Sequence, residues 1–312
     1  MGKFYQNSIK TKTMNKRKLN IALVVTVITM AIATTSCKKH HQEEDNDTAA
    51  AADHALAEHI SSDIVNIGSQ ATDNSNSSLT SRGTGIENEL SLCGTVTHDT
   101  IHHIDSVFFN NSTCVDGRVR NGILIFNYSA STNNAKHYRD PGFSCTVSSS
   151  NYVVDGNQVN IINKTILNTT PVGFNPSSTN LTWSINGHIQ VIKTDGTLDF
   201  SFSKNKTLLN TADANVYHGS ATPISWNLAK VGITGSANGT TVKGVSFTAS
   251  VTNQLVRDFG GCTISGHHPF IQGELDFNPS AKPTRHIDFG NGSCDLDATV
   301  TINGHSHIIT LR

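Results

Sequence analysis

Residues 282–312 read KPTRHIDFGNGSCDLDATVTINGHSHIITLR, and the turn at the centre of this stretch occurs a second time about 180 residues earlier. Five positions of the two copies correspond: Val107, Phe109, Asn111, Thr113 and Cys114 stand opposite Ile287, Phe289, Asn291, Ser293 and Cys294. In both copies the chain then enters a run that alternates apolar and polar residues, which is typical of a strand with one buried face. We therefore predict one strand-turn-strand unit that opens a folded domain and another that closes it.

The sequence between the two copies keeps this period of two. The apolar members of three such runs are Val245, Phe247, Ala249 and Val251; Leu198, Phe200 and Phe202; and Ala298, Val300 and Ile302. Five dipeptides supply the positive φ values that tight hairpin turns require, and they are Asp155-Gly156, Asn186-Gly187, Asp195-Gly196, Asn238-Gly239 and Asn303-Gly304. These signals predict an all-β antiparallel meander. It forms either a two-layer sandwich or a strongly curved sheet or barrel, which periodicity does not separate.

One strand is expected to differ from the others. Ile123, Leu124, Ile125 and Phe126 are apolar in succession, which is typical of a strand that is covered on both faces. We therefore predict that this strand lies centrally in the sheet.

Composition divides the chain into a leader, a polar tether and one β domain. Only 15% of the residues are charged, which favours short strands and turns over helices rich in Glu, Lys and Ala. The predicted segments are residues 1–37, 38–89 and 90–312.

Residues 1–37 contain six Lys and Arg and no acid, so 17 basic and 24 acidic residues follow them. This acidic excess argues against nucleic acid as a partner.

Residues 1–37 have the order of a signal peptide. Lys16, Arg17 and Lys18 precede a mostly apolar run, and small residues lead into Cys37. The ending resembles a bacterial lipoprotein signal, in which the cysteine is lipidated and becomes the new N-terminus; the alternative is an ordinary secretory signal. Acyl chains on Cys37 would anchor the protein stably, since each buried methylene contributes about 0.8 kcal/mol.

The tether is expected to contain one helix. Residues 38–47 are polar and charged and should be solvated. From Thr48 to about Ala71, an alanine run and the spacing of apolar residues predict a short amphipathic helix with Thr48 as its N-cap. A Ser- and Asn-rich linker follows and precedes the β domain.

Five cysteines remain after Cys37, so they cannot all pair within the chain. An exported protein permits disulfides, and the repeat supplies a pairing in which each turn cysteine joins an upstream cysteine outside the turn. The predicted bridges are Cys93 with Cys114 and Cys262 with Cys294, which leaves Cys145 free. The alternative is that all five are reduced and buried.

Several segments resemble an uncharacterised family of Bacteroidetes envelope lipoproteins. The likeness covers about residues 90–312 and the signal, and it is carried by the segments 93–97, 116–122, 138–142, 152–157, 233–235 and 283–304. The resemblance implies an envelope location, a β-rich fold and paired cysteines. It transfers no catalytic residue.

The sequence contains no motif that predicts an enzyme or a cofactor. No GxSxG, HExxH or phosphate-binding loop is present. Glu274 and Asp276 share a strand face and are geometrically possible as an acid pair, although carboxylates two residues apart are common on exposed strands.

Two metal sites are conceivable. His305 and His307 share a strand face and could ligate zinc or copper, or they could belong to a solvated face. The oxygen donors Asp288, Asn291, Asp295 and Asp297 would suit calcium, yet tight turns use the same residue types.

We predict a lipid-anchored protein of the outer membrane or cell surface whose β domain is a binding or structural module, with the membrane and an envelope glycan or protein as partners. The alternatives are an envelope glycan hydrolase and a lipid or outer-membrane assembly carrier. The shape of the β domain distinguishes these three functions. A deep pocket with Glu274 or several Asp side chains favours the hydrolase, a large apolar concavity favours the carrier, and a filled core with a flat polar surface favours a structural module.

Overall fold

The computed structural model describes residues 49–73, 93–114, 116–213, 228–262, 264 and 269–310. The signal peptide, Cys37, Thr48 and the linker lie outside the described residues. One helix and thirteen strands are present in this order: α1 (Ala49–Asp73), β1 (Gly94–Asp99), β2 (Ile104–Thr113), β3 (Val119–Asn127), β4 (Ser144–Val154), β5 (Asn157–Asn168), β6 (Thr182–Lys193), β7 (Gly196–Leu208), β8 (Lys230–Thr240), β9 (Ser246–Asp258), β10 (Gln272–Pro279), β11 (Arg285–Asn291), β12 (Asp297–Ile302) and β13 (His305–Thr310).

The thirteen strands form a single antiparallel sheet in which every strand pairs with its neighbours in sequence. The predicted all-β meander is therefore confirmed. A second layer of strands is not present in the described part of the chain, and β1 and β13 are not paired there. Of the predicted architectures, the strongly curved sheet is the one observed.

The sheet has to curve because strands from most of its width lie near the one described helix. Thirteen strands laid flat would span about 58 Å, because neighbouring strands lie about 4.8 Å apart, whereas a helix of 25 residues is about 37 Å long. Nevertheless, α1 contacts β2, β3, β6 and β7, and it lines a cavity together with residues of β8 to β11 and β13. The sheet must therefore curl around the helix.

The helix lies inside the curved sheet and is buried almost all round. Among residues 49–72, only Ala52 is exposed, and Ile60, Ile64 and Ile67 belong to the same hydrophobic core as the strands. The helix precedes the strands in sequence, as predicted, but it packs within the β domain instead of standing apart in a tether. Weak amphipathicity did not indicate this, because its polar side chains are buried against the sheet as well.

Aromatic side chains fill one part of the interior. Trp183 of β6 stacks on Tyr138 with ring centroids 4.7 Å apart, and its indole N–H donates to the Tyr138 carbonyl at 2.8 Å. Phe143 packs edge-on against Tyr138 as well. The interior near β3 to β6 is thus packed with rings, in contrast to the region near β8 to β11 described below.

Three of the five dipeptides that predict hairpin turns lie at connections between strands. Asp155 and Gly156 join β4 to β5 with φ of 50° and 77°, and Asn303 and Gly304 join β12 to β13 with φ of 51° and 82°. Asp195-Gly196 joins β6 to β7. In the first two turns, the positive φ is the reason for Asp, Asn and Gly.

The other two dipeptides lie inside strands, so their prediction as turns was wrong. Asn186-Gly187 is within β6, and Asn238-Gly239 is within β8. Both glycines are required by close approach: a Cβ on Gly187 would lie 2.6 Å from the ring of Phe202, and one on Gly239 would lie 1.9 Å from the Asp199 carbonyl oxygen. A strand glycine that makes room for a neighbour has the same sequence signature as a turn glycine.

The strand that was predicted to be central lies near one edge of the sheet. Residues 123–126 belong to β3, the third strand of thirteen, rather than to a central strand. Leu124 and Phe126 face the core, while Ile123 and Ile125 lie half-buried on the outer face. The apolar run therefore indicated a strand correctly but not its position.

The two copies of the organising turn occupy equivalent places. Val107 and Phe109 of β2 are buried, as are Ile287 and Phe289 of β11. Both predicted bridges are present, with Cα–Cα distances of 4.9 Å for Cys93 and Cys114 and 5.2 Å for Cys262 and Cys294, and Cys145 is a buried free thiol.

Replacing Cys93 and Cys114 together with alanine should lower the free energy of unfolding by about 2 to 5 kcal/mol, because the bridge limits the freedom of the unfolded chain. Urea denaturation measures this change. The control, Cys145→Ala, should retain both bridges in non-reducing peptide mapping. A bridge between Cys145 and any other cysteine in the wild-type protein would refute the pairing.

Candidate ligand-binding cavity

A cavity of about 410 Å³ lies between the N-terminal half of α1 and the inner face of β8 to β11, and it reaches the end of β13. Most of its wall is aliphatic or aromatic. Representative lining residues are Ala237, Ala249, Leu275, Ile287, Phe289 and Ile309. Ala52 of α1 and Thr310 of the edge strand β13, which are both exposed, mark its rim. The cavity is thus a mainly apolar space beside a buried helix.

His54 of α1 is the buried polar group in the most aromatic part of this wall. Its ring lies 5.6 Å from that of Phe200, 5.7 Å from that of Phe247 and 5.4 Å from that of Phe277. Burial lowers the pKa of His54 to about 4, against the opposing influence of Glu58. The imidazole is therefore neutral at physiological pH and behaves largely as a fourth ring.

Glu58 and Lys204 form an ion pair at the cavity wall, one turn of helix after His54. Burial alone would raise the pKa of Glu58, but Lys204, His54 and Arg257 together hold it below its usual value. Burial lowers the pKa of Lys204, against the attraction of Glu58. The ammonium of Lys204 also lies 4.8 Å from the ring centroid of Phe202, within the range of a cation–π contact.

Arg257 of β9 brings a second cation to the same wall. Its guanidinium lies 4.1 Å from the ring centroid of Phe270, and its residue is largely buried. It lines the cavity together with Lys204, and both also border an adjoining space of about 30 Å³ under Ser61 and Ser62. One side of the apolar cavity is therefore basic.

Lys164 of β5 is a further cation under the helix. Its ammonium donates to the side-chain and carbonyl oxygens of Ser61 at 2.9 and 3.1 Å and lies 4.5 Å from the ring centroid of Phe202. Burial and the nearby charge of Lys204 lower the pKa of Lys164 well below its ordinary value.

Ion pairs hold the helix at both ends of this region. Arg120 of β3, which has no exposed surface, donates to Asp63 of α1 at 2.6 Å and to Asp116 at 2.9 Å. Near the start of the helix, Asp53 accepts from Lys193 at 3.2 Å and from the Val242 amide at 3.1 Å. The helix wall of the cavity is thereby fixed to β3 and to the β6 and β8 region.

The predicted acid pair does not face the cavity. Glu274 and Asp276 lie half-buried on the outer face of β10, whereas Leu275 between them lines the cavity. Asp276 contacts His286 Nδ1 at 2.7 Å, and Glu274 lies 3.9 Å from His286 Nε2. The pair thus belongs to a surface cluster that is bridged by a histidine.

The predicted metal ligands are not gathered into a cluster. Within the described ranges, no group of three or more His, Cys, Asp or Glu is placed to hold a metal. His305 and His307 lie on one face of the edge strand β13.

The oxygen donors proposed for calcium are engaged in the turns and at the sheet edge. Asp288 accepts from the Gly290 amide at 2.8 Å, Asp295 accepts from the Asp297 amide at 3.0 Å, and Asp297 accepts from the Thr310 hydroxyl at 2.9 Å. Asn291 is exposed at the end of β11.

Sequence reasoning missed the residues that carry charge into the cavity. A signal for Lys204 was present, because it continues the inward-facing series of Leu198, Phe200 and Phe202 in β7. Lys164 had no such signal, since a register shift between Ile161 and Asn163 reverses the alternation just before it. The acidic residues of α1 were missed as well, because the helix was assigned to a tether outside the β domain.

Comparisons with protein-family models, curated proteins and solved structures give no match to this chain. Within the described residues, no helix combines the length and apolar character needed to cross a lipid bilayer.

The buried His54 predicts a pH-dependent stability. Between pH 6.5 and about 4 the imidazole of His54 binds a proton in the unfolded chain but not in the folded protein. The stability that the neutral imidazole contributes is therefore fully present above pH 6.5 and is lost as the pH falls toward 4. From pH 7.5 to pH 4.5, the free energy of unfolding of the wild type should fall by about 2 to 3 kcal/mol more than that of the His54→Gln variant. Urea titrations across this range measure it.

The matched control is His305→Gln, which changes an exposed histidine on β13 and should retain the wild-type pH dependence. Equal pH dependence in the wild type and in His54→Gln would contradict the assignment of a neutral, buried imidazole.

Proposed function

We propose that the β domain binds an apolar ligand in the cavity between α1 and the sheet, and that it serves as a lipid-binding carrier of the cell envelope. The observation that carries this proposal is the cavity itself: an apolar space of about 410 Å³ inside the curved sheet, with one helix as its wall. Among the shapes that distinguish the three candidate functions, a large apolar concavity is the one that favours a carrier.

The size and the chemistry of the cavity agree with this function. Small-molecule sites commonly measure about 300 to 1,000 Å³ and are lined by apolar side chains with a few polar groups. Here the polar groups include His54, Glu58, Lys204 and Arg257. A packed core does not leave a space of this size without a cost in stability, so binding of a ligand supplies a reason for its presence.

The envelope location rests on the sequence and on the cysteines. The basic, apolar and small-residue order before Cys37 supports export and lipidation, and the two disulfides are consistent with an oxidising compartment. A lipid anchor would keep the binding domain beside the membrane from which an apolar ligand is drawn.

The rival functions have less support. A glycan hydrolase needs carboxylates that face the substrate, whereas Glu274 and Asp276 lie on the outer face of β10 and, among the described residues, Glu58 is the one acid of the cavity wall. A purely structural module gives no account of an apolar cavity.

Filling the cavity should abolish binding. Ala249 is buried on β9 and faces the cavity, so Ala249→Phe places a ring in the space that the ligand needs. With an environment-sensitive apolar fluorophore as the probe, we expect saturable binding to the wild type and at least a tenfold weaker affinity in Ala249→Phe, which corresponds to about 1.4 kcal/mol.

The matched control is Thr248→Phe, which adds the same ring at the neighbouring, exposed position of β9 and should bind the probe like the wild type. Equal loss in both variants, or no saturable binding to the wild-type protein, would overturn the proposal.

The anchor has its own test. If Cys37 carries lipid, Cys37→Ser should release the protein from the membrane fraction or leave its signal uncleaved, since the acyl chains supply the membrane affinity. Cell fractionation with mass spectrometry of the N-terminus measures both outcomes. Correct processing together with unchanged membrane partition would show that the signal is of another kind.

A further inference from the structure

One polar ring in the wall of the cavity has no hydrogen-bond partner among the described residues. His54 is only 4% exposed and lines the cavity, yet its imidazole forms no hydrogen bond with a described residue. The described polar atoms that are both unpaired and closed off from open space include Glu58 Oε1 but no atom of His54. The ring nitrogens of His54 therefore keep contact with open space, and the space that His54 borders is the cavity.

A role in aromatic packing does not by itself explain a histidine at this position. Three phenylalanine rings, those of Phe200, Phe247 and Phe277, lie with their centroids 5.6, 5.7 and 5.4 Å from that of His54. A phenylalanine in place of His54 would supply a ring without a polar atom. The neutral imidazole instead has one donor N–H and one acceptor nitrogen, and their burial without partners costs stability. Native proteins leave few buried polar groups unpaired, so these nitrogens point to a partner that enters the cavity.

The ion pair beside His54 disfavours a charged partner. Burial has the largest effect on the pKa of His54, and Glu58 raises and Lys204 lowers that pKa in addition, so both charges act on the space around the ring. Glu58 and Lys204 are paired with each other, so their charges offset. Within this pair, neither an anion nor a cation would find a free opposite charge, and burial of an uncompensated charge is costly. A neutral polar group avoids that cost.

We propose that the ligand is an uncharged amphiphile whose hydroxyl group hydrogen-bonds to the imidazole of His54 while its apolar chain lies along Leu275 and Ile287. This inference rests on the proposed function and names the chemical class of its ligand. A hydroxyl suits either tautomer of the ring, because it can donate to the unprotonated nitrogen or accept from the N–H. The pair of Glu58 and Lys204 stays intact in the complex.

The test uses two probes of similar size that differ in one group. Decanol carries the hydroxyl, undecane has a methyl group in its place, and displacement of the apolar fluorophore gives each Kd. His54→Phe keeps a ring and removes its hydrogen-bonding atoms. In this variant the affinity for decanol should fall at least tenfold, which corresponds to about 1.4 kcal/mol, because the hydroxyl is then buried without a partner. The affinity for undecane should stay unchanged.

Two controls accompany this comparison. His305→Phe makes the same substitution at an exposed histidine of β13 and should leave both affinities at the wild-type value. Decanoate, the anionic relative of decanol, tests the charge of the head group, and we expect the wild type to bind it more weakly than decanol. Tighter binding of decanoate would overturn the choice of a neutral head group.

A measurement on the wild type keeps the inference testable if His54→Phe does not fold. The imidazole of His54 gives the ring-nitrogen NMR signal that is absent from the spectrum of His54→Gln. Decanol should shift this signal much more than undecane does, because a hydrogen bond changes the electron density at the nitrogen. An equal response to the two probes, with both of them bound, would contradict the proposed contact.

The outcomes separate the two proposals. Equal losses of affinity for decanol and undecane in His54→Phe, or no loss of either, would overturn this inference and leave the proposed function in place. Binding of undecane but not of decanol to the wild type would have the same consequence. Absence of binding by both probes would overturn the proposed function.

Discussion

The contact between Asp63 and Arg120 fixes the helix inside the sheet, and the rest of the interior depends on that placement. Arg120 is fully buried and is satisfied by one carboxylate from the helix and one from the turn before β3. Removal of one partner from such a buried group costs about 3 to 5 kcal/mol, because the other charge is left without compensation. Loss of this contact would leave a charge buried without its partner and would weaken the attachment of the helix that forms one wall of the cavity.

The interior that results is filled unevenly. Near β3 to β6, Trp183, Tyr138 and Phe143 pack against one another, whereas near β8 to β11 small side chains such as Ala237 and Ala249 leave a cavity. The neutral His54 and the pair of Glu58 and Lys204 lie along this cavity. The pair of Glu58 and Lys204 thus both joins the helix to β7 and places charge on the cavity wall.

The sequence predicts the local structure of this protein better than its interior. Strand period, turn residues and the repeated cysteine turn lead to the meander and to both disulfides, because each depends on neighbouring residues or on one repeated pattern. The place of α1 does not follow in this way, because no local pattern shows that buried cations lie opposite its acids. Lys164 likewise reaches the interior only through a register shift in β5. Gly187 and Gly239 were misread for a similar reason, since their role depends on side-chain or backbone atoms of the neighbouring strand β7.

The central proposal is that the helix and the sheet enclose an apolar cavity of about 410 Å³ that holds an apolar ligand. Mass spectrometry of the organic extract of the protein, purified from its native cells without detergent exchange, tests this proposal most directly. We expect a stoichiometric apolar compound in the wild-type extract and its absence from the extract of the Ala249→Phe variant, in which a ring fills the cavity. Identical extracts from the two proteins, or a wild-type extract without any such compound, would contradict it.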